Sequence, residues 1–202
     1  IEQARQDVKS IHAATLSADY LAQLSYVYRL LEMPVEALQA AEASLAKQVT
    51  SNAQEQYVLA LMLNGDYPRA ETYVQAHQLN QSNLLFTVKL QQLSQKILNA
   101  VQFYQSSSYR NEGEKAFYPL DAVLAEMKAL SAELPEQADL QRRFYYEYIY
   151  ALNQRNRSKE VLLAAQQLNM NPQEMPAYVR HAIADAYLKL QQPAKAEPLY
   201  LS

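Results

Sequence analysis

Leu63-Asn64-Gly65-Asp66-Tyr67-Pro68-Arg69-Ala70 is the phrase on which the reading of this chain turns. Weaker copies stand at Leu30 to Ala37 and at Leu190 to Ala196. In each, an amphipathic stretch comes first, a tight polar turn follows, and an alanine closes the phrase where a second helix begins. Gly65 can take the left-handed conformation that ends a helix. Pro68 can open the next one, because a residue in the first helical turn needs no backbone donor. The phrase therefore predicts a helical hairpin, and its recurrence predicts several.

The interval from Ala37 to Ala70 is 33 residues, close to the period of about 34 at which tetratricopeptide (TPR) repeats stack such hairpins. Composition agrees. Two glycines in 202 residues leave little material for tight β-turns or phosphate loops, while Ala, Leu, Gln and Glu dominate. The expected fold is an all-α, TPR-type helical-hairpin solenoid, a right-handed superhelix, read as one array over residues 1–202 because repeat proteins grow by adding modules.

Residues 1–16, with Ala4, Val8, Ile11 and Leu16 at roughly helical spacing, read as the last helix of a preceding repeat. The first complete repeat spans 17–47. Ser25 is the small residue that lets its two helices approach, and Ala37, Ala41 and Ser44 are the matching contacts on the second helix. The second repeat spans 51–79, with Tyr57, Leu61, Ala70, Tyr73 and Val74 in corresponding places. Then the period breaks: 91 residues separate Ala70 from the next second-helix marker, Val161. An irregular long-helix pair is expected over 83–133, a helix over 83–105 and another over 115–133, with a loop at 106–113. Pro119 is tolerable only in the first turn of the latter. Further repeats follow at 137–168 and 175–202, the second of them truncated. A chain that opens on Ile1 and stops at Ser202 inside an expected helix reads as a piece of a larger protein.

Net charge is −3, which argues against nucleic acid as partner, since phosphate binding calls for a basic face. Cysteine is absent, so thiolate and disulfide chemistry are excluded. No apolar run approaches the roughly 18 to 20 residues that span a bilayer. Catalytic patterns are missing: His12, His77 and His181 fall in separate hairpins without metal-ligand spacing, and two glycines exclude Walker and dinucleotide loops. Glu112 and Glu114 flank Gly113 but read as a solvated helix start. The expectation is no enzyme, no cofactor and no metal.

The aromatic inventory is skewed, with 16 Tyr and no Trp. Tyr28, Tyr73 and Tyr187 read as ordinary hairpin core. The run Phe144-Tyr145-Tyr146-Glu147-Tyr148-Ile149-Tyr150 is different, because its rings cannot all lie on one helical stripe and some must reach a groove. The concave face of such a solenoid is lined by first helices. Projecting that face gives Asp19 and Tyr26, then Glu55, then Tyr146 and Tyr150, with Glu147 if the register slips by one, then Tyr178 and Asp185. Rings stack on sugar faces or aliphatic chains, and carboxylates accept from hydroxyl or ammonium groups.

Three segments carry a resemblance. Leu21 to Leu38, Asp121-Ala122-Val123-Leu124, and Ala184 to Ala196 (Ala-Asp-Ala-Tyr-Leu-Lys-Leu-Gln-Gln-Pro-Ala-Lys-Ala) together resemble the periplasmic TPR region of the PgaA/HmsH family of outer-membrane porins, which export poly-N-acetylglucosamine. They do so in the same helix order and around a non-integral gap. The resemblance implies a location on the periplasmic side of the Gram-negative outer membrane and a β-barrel domain in the same parent chain. It also implies two partners, the partly de-N-acetylated cationic polymer and the periplasmic deacetylase PgaB. It supplies no binding residues. The alternative is a generic protein-interaction TPR module holding a peptide or helix of an unrelated partner. Its acidic-tail version would need clustered cations, where these faces offer only Arg29, Arg143 and Lys189.

Overall fold

The structure is a computed structural model that describes residues 2–9, 11, 13–79, 82–106, 113, 115 and 117–201. The regular elements among them are all helical: α1 (Glu2–Lys9), α2 (Ala18–Leu30), α3 (Pro34–Lys47), α4 (Ser51–Leu63), α5 (Tyr67–Ala76), α6 (Ser82–Gln105), α7 (Tyr118–Leu130), α8 (Ala138–Gln154), α9 (Ser158–Gln167), α10 (Ala177–Lys189) and α11 (Pro193–Tyr200), with short 3-10 turns between some of them. Successive helices pack in neighbouring pairs, the architecture of stacked helical hairpins. The chain forms two compact units, Ile1–Val88 and Lys89–Ser202, whose boundary falls inside α6.

Four hairpins close with the same turn. At the end of α2 the Met33 N–H bonds the Tyr28 carbonyl at 2.9 Å and the Glu32 N–H bonds that of Arg29 at 3.1 Å. The pair repeats at Asp66 to Leu61 and Gly65 to Met62, at Arg157 to Leu152 and Asn156 to Asn153, and at Gln192 to Tyr187 and Gln191 to Leu188. This is the Schellman arrangement, which satisfies the orphan carbonyls of a helix end and needs one residue with positive φ. That residue is Glu32 (54°), Gly65 (76°), Asn156 (62°) or Gln191 (59°). The next residue already caps the following helix, so each connection is three residues long.

Because every turn has the same geometry, the fourth residue of each second helix meets its first helix at the same height. Those residues are Ala37, Ala70, Val161 and Ala196, all at 1% exposure or less. In the first hairpin the contact is also polar. The buried Ser25 hydroxyl donates to the Ala37 carbonyl at 2.8 Å, and Ser44, also buried, donates to that of Ala18 at 2.7 Å. The two bonds advance along α2 as they recede along α3, so the helices run antiparallel. The α6–α7 pair is laced differently, by ion pairs Lys89–Glu133 and Lys96–Glu126 at 2.7 and 2.6 Å.

The first unit buries Leu24, Tyr28, Tyr57, Val58, Leu61, Val74 and Val88 among others in one cluster. The second buries Leu90, Ile97, Met127, Phe144, Ile149, Leu152 and Val179.

Several expectations need correction. Residues 1–16 are not one helix: α1 ends at Lys9 and a 3-10 turn follows at Ala13–Thr15. Ala4 and Ile11 are exposed, and only Val8 and Leu16 reach the core, Leu16 from its place just before the Ser17 cap of α2. The core tyrosine of the second repeat is Tyr57; Tyr73 lies on α5, half-buried, edge-on to Tyr57 with centroids 4.7 Å apart. The helix expected over 115–133 is α7, starting at Tyr118 so that Pro119 falls in its first turn, with a 3-10 extension at Ser131–Glu133. The loop expected over 106–113 falls largely outside the described residues, as do Glu112, Glu114 and His12.

Three of the four turn residues with positive φ carry a side chain that this conformation disfavours. Glu32→Gly and Gln191→Gly, both at exposed positions, are each expected to stabilise the fold by about 0.5 to 1 kcal/mol, the left-handed strain relieved less the added backbone entropy of glycine. Urea denaturation measures this, and a destabilisation in both would show that those residues are not held left-handed.

Candidate functional site

The eight residues projected onto a groove divide between the units. In the first unit Asp19 is exposed in the opening turn of α2. Tyr26 is 48% exposed, and the Arg29 guanidinium lies 5.5 Å from its ring centroid. Arg29 also donates to the Gln56 side chain at 2.7 Å, so this cation already has partners. Burial pulls its pKa down, opposed by the charges of Glu55 and Tyr26. Glu55, half-buried, lines a depression of about 350 Å³ with Ser51, Gln54, His77, Gln78, Leu79 and Leu84. The His77 ring stacks on Tyr73 at 4.0 Å. Among the described residues no cluster of three metal-ligating side chains occurs.

The second unit gathers more. Glu147 and Tyr150 from α8 and Tyr178 from α10 line one depression of about 370 Å³, completed by Arg143 and by Gln91, Ser94 and Leu98 of α6. The two tyrosine rings meet edge to face, centroids 6.0 Å apart. Glu147 is half-buried, and among the described residues no ion pair reaches its carboxylate. Burial raises its pKa; the Arg143 charge and the Ser94 hydroxyl act the other way. Tyr178 is pushed up to about 12, first by burial and then by the Glu147 charge. Tyr150 is raised for the same two reasons. A half-buried carboxylate sharing a depression with two phenol rings, without an ion pair among the described residues, is an environment that favours an incoming positive group.

Two projected residues do other work. Tyr146 is half-buried and its hydroxyl donates to the Met170 sulfur at 3.3 Å. Asp185 accepts from the Asn153 side chain at 3.1 Å through one oxygen and from the Tyr200 hydroxyl through the other. It therefore ties α8, α10 and α11 together and does not line the depression around Glu147. The projection ignored neighbouring helices, which is why it read these two as free groove groups.

Sequence reasoning missed Gln91, Ser94 and Leu98. They belong to the stretch where the repeat period fails, so no register placed them. The available signal was local: Gln91, Ser94 and Leu98 fall at i, i+3 and i+7, one face of a helix.

No protein-family model matches the chain, and none of the curated proteins is a significant match.

Two outcomes follow from this geometry. Asp185→Ala is expected to cost about 1 to 2 kcal/mol, the loss of charge-assisted bonds in a partly buried setting, measured by denaturant unfolding; an unchanged midpoint would return Asp185 to the class of free surface carboxylates. Glu147 has a folded-state pKa above its unfolded value, so its contribution to stability is full at low pH and is lost as pH rises through the folded value. Glu147→Gln should therefore melt like the parent at low pH and become the more stable of the two at neutral pH and above. Parallel melting curves across that range would contradict the raised pKa.

Proposed function

We propose that this chain is a non-catalytic helical-repeat scaffold. It binds partly de-N-acetylated poly-N-acetylglucosamine, its periplasmic deacetylase PgaB, or both, during exopolysaccharide export for biofilm formation. It acts on the periplasmic side of the Gram-negative outer membrane, joined in its parent chain to a β-barrel domain that serves as the porin.

The observation that carries this reading is the Glu147 depression: a half-buried carboxylate with no ion pair among the described residues, in a depression also lined by Tyr150 and Tyr178, with Arg143 held on Gln91 beside it. A deacetylated sugar unit offers the matching set, an ammonium for the carboxylate and an apolar ring face for tyrosine. Charge is divided: residues 1–88 contain nine Asp and Glu against five Lys and Arg, net −4, which attracts a cationic chain, whereas residues 89–202, which hold the depression, contain twelve against thirteen, net +1. Leu21 to Leu38, Asp121 to Leu124 and Ala184 to Ala196 supply the resemblance to the export porins. The contacts are individually small, as suits a polymer that has to keep moving.

Titration by NMR or calorimetry tests this. Partly de-N-acetylated oligomers are expected to bind better than fully acetylated ones, with affinity falling as salt rises, because exposed charges are screened within about 8 Å at physiological ionic strength. Glu147→Gln should remove about 1 kcal/mol of the binding energy and most of the preference. Equal affinity for the two oligomers would sink the polymer reading and favour a module that binds a peptide or helix.

A further inference from the structure

Arg143 and Glu147 stand four residues apart on α8, the spacing at which Arg and Glu on a helix pair with each other. They do not pair here. The Arg143 guanidinium instead donates through Nη2 to the side-chain carbonyl of Gln91 on α6, and the Glu147 carboxylate is left without an ion pair in the depression they share. Arg143 is half-buried and has a charged acceptor one turn away, yet it is held by a neutral one. The two arrangements differ only by rotation about flexible side-chain bonds. A half-exposed ion pair and a hydrogen bond from a guanidinium to an amide both contribute only modestly in water, so a small change tips the balance.

We propose that Arg143 is a latch for this depression: held on Gln91 it leaves Glu147 open to a ligand cation, and released from Gln91 it closes onto Glu147 and excludes that cation. The proposal rests on the reading of the depression as an amino-sugar site and adds the residue pair that sets its selectivity. An ammonium competes with the guanidinium for Glu147. A neutral N-acetylated unit does not, so the resident cation, when it closes onto Glu147, lowers the discrimination between the two, and when held on Gln91 leaves it in place. It also limits affinity, since any ligand cation meets the nearby Arg143 charge. Arg143 is a positioning residue in this scheme, acting through Glu147.

The test uses the whole chain, a partly de-N-acetylated glucosamine oligomer, and three variants: Gln91→Ala, Arg143→Met and the double variant. Gln91→Ala frees Arg143 for Glu147 and is expected to weaken oligomer binding about two- to fivefold, the worth of one such ion pair. Adding Arg143→Met should restore affinity to the parent level or above, with a steeper loss of binding as salt rises. A double variant weaker than either single one would mean that Arg143 and Gln91 are direct sugar contacts, and the latch would be discarded. A second readout needs no ligand. The carboxyl carbon shift of Glu147, followed by NMR against pH, should show its midpoint fall in Gln91→Ala and rise in Arg143→Met. Were the parent to bind no oligomer while these midpoints moved, the sugar reading would fail and the latch would stand. Unmoved midpoints would overturn the latch whatever the binding data show.

Discussion

One backbone geometry recurs in four of this protein's helical hairpins. A left-handed residue at Glu32, Gly65, Asn156 or Gln191 lets two successive N–H groups reach carbonyls one turn behind them. The rest of each hairpin is fixed by that event. It ends the first helix, begins the second within three residues, and delivers the fourth residue of the second helix against the first. A side chain larger than alanine or valine at that point would hold the helices apart. The buried bonds from Ser25 and Ser44 depend on the same approach, because a hydroxyl reaches a neighbouring helix's backbone only when the two are nearly in contact.

The Glu147 depression arises where that regularity gives way. Its floor is shared between α8 and α10, which carry repeat-like hairpins, and α6, which is 24 residues long where α2, α4 and α10 have 13. Gln91 and Ser94 come from the first 13 residues of α6, and Leu98 comes from the three turns beyond them. A buried carboxylate is costly unless something compensates it, and here the compensation is incomplete by construction, because Gln91 draws the nearest cation aside. In the first hairpin, by contrast, the buried Ser25 and Ser44 hydroxyls both find carbonyl acceptors.

Much of the fold was legible because turn chemistry is local. The asparagine, glycine and proline of the 63–70 phrase declare its geometry, and the weaker copies could be aligned to it even where Glu32 and Gln191 replace glycine. The start of the chain misled, since Ala4, Val8, Ile11 and Leu16 have helical spacing but an eight-residue α1 has too few turns to carry the pattern onward. Site residues were harder still. Periodicity says which way a side chain leaves its own helix, but not what waits there. Asp185 looked like a groove carboxylate until Asn153 and Tyr200 were seen to occupy both its oxygens, and Gln91 could not be placed at all without a register for α6.

The uniform turns also bear on how such a chain changes over generations. Since a stop signal, a start signal and a packing contact all lie within eight consecutive residues, a hairpin carries its own instructions and can be copied or lost whole without rewriting its neighbours. The α6–α7 pair has no such portability. Its two ion pairs, Lys89 with Glu133 and Lys96 with Glu126, join its helices to each other, while Gln91 and Asp121 bind it to arginines that follow it in the chain. Duplication can lengthen the run of regular hairpins, but the α6 face that meets Arg143 and Glu147 has to evolve by substitution, residue by residue, in place.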